Sequence, residues 1–553
     1  MGGAPRRFDC VNGPEEERRT IRRRPVAPVT EDPVPRTSPP PRAARTTART
    51  GTSDVAADPG SPSTGREKIA TAARDQAPAR ARRRRPPTGR PRLTVRVGLV
   101  LILLMAGAVR VGGAWAGTDC VIVDGLRDAR AARAAGRCVS FNDSATYLTH
   151  AEHNADGDWF QTQGPGGRSV DTALHAPMFG VILTPFVWAG IDSYEALRYV
   201  VAILGTAGVA AVFLLGRTLR DDATGLIAAT IAALHPLVWI NDVLLMPEGL
   251  FAVAVAGTSV LAYRFHARPS VANAAWLGAA IGAAGLLRNE ALLTVAFIAV
   301  PLILGRRSLS LGARAVRGAA LVGAVALLLA PWIGLNWARF GSPVLTHGTG
   351  AGLRASTCDE TFFNERLLGL RSIDCLGEDR EEASRPGQDN EEASSRIYQR
   401  NALAYYSDNL GRAPTVVLAR VARFWGAWRP FETVRLDDPI EQRGTPRSQG
   451  GIVVGWALTP LAAYGAVVLW RRRIPLSPLL GWIAAATTVA AASQPLQRFR
   501  ISGDVAMIVL GAVGVVALAG LPSVRTLVTG GSTRAPTGLG PDRAGSRPAA
   551  TVG

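Results

Sequence analysis

Ala196-Leu-Arg-Tyr-Val-Val-Ala-Ile-Leu-Gly-Thr-Ala-Gly-Val-Ala-Ala-Val-Phe-Leu-Leu-Gly216 is apolar almost throughout and is followed by Arg217 and Arg220. A helix of about 20 such residues covers the ~30 Å hydrocarbon core of a bilayer. Runs of similar character recur at 97–116, 223–241, 246–263, 316–337, 451–470 and 503–520. Shorter ones lie at 272–287, 291–305 and 476–492. The pattern predicts an all-α polytopic membrane protein with about 10–11 transmembrane helices. Residues 175–191 are apolar but short, and Pro177 and Pro185 interrupt them. They read as a membrane-embedded or interfacial piece, or a short crossing.

The net charge of +19 would point to nucleic acid in a soluble protein. Here the charge is almost all arginine, with Lys68 the single lysine, and it gathers in the first 96 residues and beside apolar runs. That is the positive-inside pattern, so nucleic acid is set aside. Arg217 and Arg220, Arg264 and Arg268, Arg306 and Arg307, and Arg471 to Arg473 then mark the cytoplasmic ends. This orientation predicts a multi-pass plasma-membrane protein with two large extracytoplasmic loops, 117–174 and 341–450, and it requires 175–191 not to cross.

Residues 1–92 are rich in Pro, Arg, Ala, Thr and Ser without an apolar stripe and read as a disordered cytoplasmic tail. Its run Arg80 to Arg92 holds the amino terminus inside, with anionic lipid heads as a weaker partner. Ala114-Trp-Ala116 looks like a signal-peptidase site, but the segment before it is far too long, so 97–116 reads as an uncleaved anchor. A catalytic module over 93–340 follows the tail. Beyond it come the loop 341–450, a C-terminal pair of crossings plus a final helix within 451–522, and a disordered tail at 523–553. In the second loop, Glu378 to Glu392 reads as a mobile acidic run and Ala413 to Trp428 as an interfacial helix. Outside the membrane, Cys120 with Cys138 and Cys358 with Cys375 are local disulfide candidates, while Cys10 stays alone inside.

The densest ionisable stretch is Ser140 to Phe160, with Asp143, His150, Glu152, His153, Asp156 and Asp158. As a helix it places Asp143, Tyr147 and Ala151 on one face, and Gly157 ends it before the Trp159-Phe160 anchor. The plain alternative is a solvated loop. His150 and His153, with Asp156 and Asp158 nearby, have the spacing of a divalent-cation site, although such histidines are more often surface residues. Gly164-Pro-Gly-Gly167 lacks the Lys and the strand–helix setting of a phosphate loop and reads as a hinge.

In this topology the acids Asp143, Asp158, Glu248 and Glu290 fall on the outer side together with Arg110, Arg288, Arg498 and Arg500. Charges at or in a bilayer are costly, which marks them as functional candidates. Guanidinium groups near the bilayer plane suit a phosphate or pyrophosphate head group. The plainer reading of Arg288 and Glu290 is a pair with each other or with helix ends.

The stretches Asn142-Asp-Ser-Ala-Thr-Tyr147, His175-Ala-Pro-Met178, Met246-Pro-Glu248, Gly285-Leu-Leu-Arg-Asn-Glu290 and Arg498-Phe-Arg500 occur in an order that resembles the GT-C superfamily of integral-membrane glycosyltransferases. The branch of protein O-mannosyltransferases and lipid A aminoarabinose transferases is the most similar. The resemblance covers roughly 95–340 well and 400–520 loosely. It departs at Ser144, where many relatives carry a second acid, and at Ala176, where they carry a proline. Metal use therefore stays open, and no cofactor is assigned.

The resemblance implies a polyprenyl-phosphate sugar donor, an extracytoplasmic acceptor (glycan, lipid or protein) and inversion at the outer face. Asp143 would be the base, Arg288 with Arg498 or Arg500 the phosphate clamp, and Glu248 an orienting group. Tyr147, Asp158, His175, Glu290 and Arg110 would complete the substrate site. A polytopic transporter or lipid flippase is the competing class, and it predicts repeat symmetry and mid-membrane acids instead. A membrane scaffold is the third, and it predicts that the outer acids are dispensable.

Overall fold

The computed structural model describes residues 90–116, 120–122, 138–140, 143–164, 168–383 and 390–520. Most of the two tails, the arginine-rich run up to residue 89, Cys10, Asn142 and residues 165–167 of the hinge lie outside the described residues.

Every apolar run read as a crossing is helical. Among the described residues six helices are long and apolar enough to span a membrane: Leu93–Trp115, Tyr194–Leu219, Glu248–Ala267, Leu311–Phe340, Thr445–Arg471 and Gln497–Leu518. A seventh candidate is bent by 65° between Asp222–Leu234 and Pro236–Asp242. The break has a local cause. His235 precedes a proline and is extended (φ −66°, ψ 117°), and Pro236 opens the next helix at a position that needs no N–H partner. The remaining apolar helices, Met178–Trp188, Val271–Leu287, Asn289–Leu304 and Ser477–Ala492, are shorter. Within 175–191 the helix Met178–Trp188 has only 11 residues and contains Pro185.

Helix starts follow short polar residues. Ser193, Asp221, Ser270 and Ser310 accept the backbone N–H three residues on, which satisfies a donor that the first turn cannot pair. The Ile501–Leu518 helix is the centre of the bundle. It packs against Thr445–Arg471, Ser477–Ala492, Asp222–Leu234 and Glu248–Ala267, and is buried along nearly its whole length.

The loop 341–450 is folded. It holds the helices Gly348–Arg354, Asp374–Ala383, Glu391–Asp408, Ala413–Phe424 and Pro430–Glu441, and a Cys358–Cys375 disulfide. The backbones of Cys120 and Cys138 are register partners in a short parallel strand pair. The acidic run differs from expectation where it is described. Asp379 is buried and bonds Arg354 Nε at 2.6 Å, while Glu391 accepts from Thr172 Oγ1 at 2.5 Å and from the Ala173 N–H at 2.7 Å. Residues 384–389 lie outside the described set. The expected helix at 413–428 forms as Ala413–Phe424, but Arg420 and Arg423 do not reach for water. Both are fully buried and satisfy backbone carbonyls, among them Ala491 and Leu368. Arg420 thereby ties the loop to the end of the Ser477–Ala492 helix, while Arg423 ties the loop to itself through Leu368 and Arg366.

Candidate active site

The helix Asp143–Asp156 places its acid at the first turn and buries Tyr147 and Ala151 on the face below it. Gly157 ends it at φ 98°, a left-handed value that side chains resist. Trp159 and Phe160 then pack on Trp188 and Trp332, at ring separations of 6.2 and 4.9 Å. This start faces four other turns of the chain: Met246–Glu248, Arg288–Glu290, Asp437–Arg443 and Gln494–Arg498. Between them lies a cavity of about 540 Å3 lined by Asp143, Tyr147, His175, Arg288, Glu290 and Arg498, among others. All these turns close one end of the helical bundle. The arginines at 217, 264, 306 and 471 lie at the opposite helix ends.

Arg498 is the hub. Its Nη1 donates to Asp143 Oδ2 at 2.6 Å, and its Nε lies 3.2 Å from Glu441 Oε2 and 3.9 Å from Glu248 Oε1. Arg288 pairs with both Glu248 and Glu290. The Phe499 ring takes both guanidiniums, Arg288 at 4.6 Å and Arg498 at 5.3 Å from its centroid. An aromatic face beside two like charges lowers the cost of holding them together. Glu248 is fully buried and its Oε2 has no protein partner.

Burial pushes the Asp143 carboxyl up, but the Arg498 guanidinium outweighs it and holds it well below the usual carboxylate range. His175 Nε2 lies 3.5 Å from Asp143 Oδ1 without a hydrogen bond, and burial lowers its pKa, so the ring is neutral at physiological pH. Burial and the charges of Asp143 and Glu248 raise the Tyr147 hydroxyl, which stays protonated and available as a donor. Its ring packs 4.9 Å from both His175 and Phe179.

Of the residues picked from sequence, Asp143, Tyr147, His175, Glu248, Arg288, Glu290 and Arg498 come together. The others lie elsewhere. Arg110 is fully buried and bonds Asp242 Oδ2 at 2.7 Å. Arg500 bonds Asp504 Oδ1 at 3.0 Å and stacks on Trp425. Asp158 is exposed at the end of its helix and does not line the cavity. His150 is buried behind Tyr147, with burial, then His175 and His153, lowering its pKa to about 3. His153 is partly exposed, and among the described residues no group of three or more His, Cys, Asp or Glu side chains is placed to hold a metal.

Sequence reasoning missed the contribution of the second loop. Arg371 bonds Glu441 at 2.5 Å and Asp437 at 3.3 Å, and Arg443 bonds Asn241 Oδ1 at 2.5 Å. Asp437 and Glu441 are spaced i, i+4 on a helix that begins at Pro430, a readable signal for one charged face. Burial raises the Asp437 carboxyl, whereas the neighbouring arginines, led by Arg498, overcome burial and hold Glu441 low. Arg371 carries no comparable signal.

No protein-family model and no curated protein matches the chain. Among solved structures it is similar to the oligosaccharyltransferase AglB from Archaeoglobus fulgidus in complex with an inhibitory peptide and a dolichol-phosphate. Identity is 16%, the match covers 78% of this chain and 51% of that one, and the TM-score is 0.45. The apo form of the A. fulgidus oligosaccharyltransferase matches at 17% identity over 77% and 50% of the two chains, with a TM-score of 0.45. ArnT from Cupriavidus metallidurans bound to undecaprenyl phosphate matches at 16% identity over 76% and 78%, with a TM-score of 0.34. The chain spans about half the length of the archaeal structures it matches.

Proposed function

We propose that this chain is a GT-C-type membrane glycosyltransferase that moves a sugar from a polyprenyl-phosphate donor to a hydroxyl of an extracytoplasmic glycan, lipid or protein, with inversion. The observation that carries the reading is the meeting of one carboxylate, Asp143, with two arginines, Arg288 and Arg498, in a cavity at one end of an apolar bundle. A lipid phosphate enters such a cavity from the bilayer, with its chain among the helices and its charge at the guanidiniums. The arginine-bearing helix ends lie opposite, which under the positive-inside rule supports an extracytoplasmic cavity.

The acceptor oxygen attacks the anomeric carbon from the face opposite the phosphate. The carbon–oxygen bond to phosphate breaks as the new one forms, and Asp143 takes the acceptor's proton. The phosphate leaves as an anion, stabilised by Arg288 and Arg498, so no acid is needed on that side. Arg498 is bonded to Asp143, which keeps the carboxylate a weak base. Phosphate competes for Arg498 and, on taking it, returns basicity to Asp143. Glu248 and Glu290 hold Arg288 in place, and Tyr147 and His175 offer neutral polar groups to the sugar or the acceptor. The test is transfer from a panel of polyprenyl-phosphate sugars in nanodiscs, guided by mass spectrometry of envelope glycans with and without the protein. A chain that binds no polyprenyl phosphate and transfers no sugar would refute the reading.

A further inference from the structure

Three neutral amides line the same cavity with buried polar atoms that no protein group satisfies. They are Asn289 Oδ1, Gln494 Oε1 and Gln442 Nε2. Native interiors pair such atoms, so each one asks for a partner. Asn289 is not free to turn away, because its Nδ2 donates to Thr346 Oγ1 at 2.7 Å. Gln494 is only 9% exposed. Gln442 sits at φ 54°, a left-handed conformation uncommon for a residue with a side chain and frequent at ligand sites. Beside them the cavity wall is made of small residues, Gly348, Ala351, Gly352 and Ala355, which leave room for a ring.

We propose that these amides form a sugar subsite, with the hydroxyls of the donor's sugar supplying the missing partners. This deepens the glycosyltransferase reading and rests on it. The ligand class follows from the chemistry. The amide groups are themselves neutral, and neutral acceptors and donors suit hydroxyl groups, which give and take a hydrogen bond. The position selects the donor over the acceptor. Asn289 directly follows Arg288, and Gln494 opens the turn that carries Arg498, so both amides sit on the elements that hold the phosphate. A sugar esterified to that phosphate lies one oxygen away from it.

The experiment compares the affinity of the full chain in nanodiscs for undecaprenyl phosphate with that for its mannosyl, glucosyl and arabinosyl esters. Wild type holds at least one ester about tenfold more tightly than the bare lipid phosphate, the scale of one or two hydrogen bonds. Gln494→Leu and Asn289→Ala lose that margin and bind the bare lipid as wild type does. Gln494→Met, unbranched and of similar length, shows the same loss and serves if the leucine variant does not fold. Variants that keep the margin overturn the subsite, as does a wild type with no margin for any ester. A raised KM for acceptor with unchanged donor affinity assigns the amides to the acceptor and overturns the donor placement. Absence of bare-lipid binding in wild type is a separate result, and it refutes the glycosyltransferase reading itself.

Discussion

Arg498 Nη1 and Asp143 Oδ2 are bonded at 2.6 Å, so the residue read as a base and the residue read as a phosphate clamp neutralise one another. Asp143→Asn keeps the shape but accepts no proton. Turnover should fall ~10²–10⁴-fold. Affinity for bare polyprenyl phosphate should hold or improve, because Arg498 no longer has a charged partner at that position. Arg288→Lys keeps a cation for the buried Glu248 but loses the planar fork, and should weaken bare-lipid binding about tenfold. Near-normal turnover by Asp143→Asn would move the base elsewhere, with Glu248 the next candidate.

His150 gives a pH dependence with a defined sign. Its folded pKa, about 3, lies below the unfolded value of about 6.5 because burial disfavours the charged ring. The stability it contributes is complete above pH ~6.5 and is lost as pH falls towards the folded pKa, at ~1.4 kcal/mol per unit for one proton. From pH 7 to pH 5 the loss should be about 2 kcal/mol. His150→Phe should flatten that part of the profile, and since Nε2 has no protein partner the change should cost little at pH 7.5. Thermal unfolding in detergent at several pH values reads both effects.

Gly249 abuts the Arg110–Asp242 pair. A Cβ there would lie 1.8 Å from Asp242 Oδ1, so Gly249→Ala should push Asp242 off its arginine and leave a buried ion uncompensated. The expected cost is ~3–5 kcal/mol, with a raised donor KM because Glu248 is the adjoining residue. Gly257→Ala, on the same helix with nothing near its Cβ, should be neutral or stabilise by ~0.5–1 kcal/mol. Equal melting temperatures for the two variants would contradict the packing argument.

The orientation is checked by labelling. Ser169 and Ser308 are exposed near opposite ends of the bundle. In a background without other free cysteines, Ser169→Cys should react with an impermeant maleimide on intact cells. Ser308→Cys should react only after lysis. The reverse pattern would invert the topology and place the cavity in the cytoplasm.

The membrane helices were legible because apolar length and flanking arginine are local properties, and Asp143 with Tyr147 was legible because one helical turn relates them. Arg288, Glu248 and Arg498 could be picked because charge beside an apolar run is expensive. The same rule also picked Arg110 and Arg500, which the fold neutralises privately with Asp242 and Asp504. From sequence, a charge paired for structure and one held for chemistry look alike, since the partner is distant in the chain. Arg371 shows the converse. Its loop holds many charged residues, so nothing local distinguishes a side chain that ends in the cavity from one in water.

The Ile501–Leu518 helix, enclosed by its neighbours and led in by the turn that carries Arg498, has a consequence for biogenesis. A membrane protein is inserted in chain order, so the helices that surround this one enter the bilayer first and must wait around a gap. Until it docks, Asp143 lacks its Arg498 partner, while Arg288 and Arg371 already hold Glu248 and Glu441. Lateral entry of one late helix would then shut the bundle and bring Arg498 to Asp143, Glu248 and Glu441 in a single event.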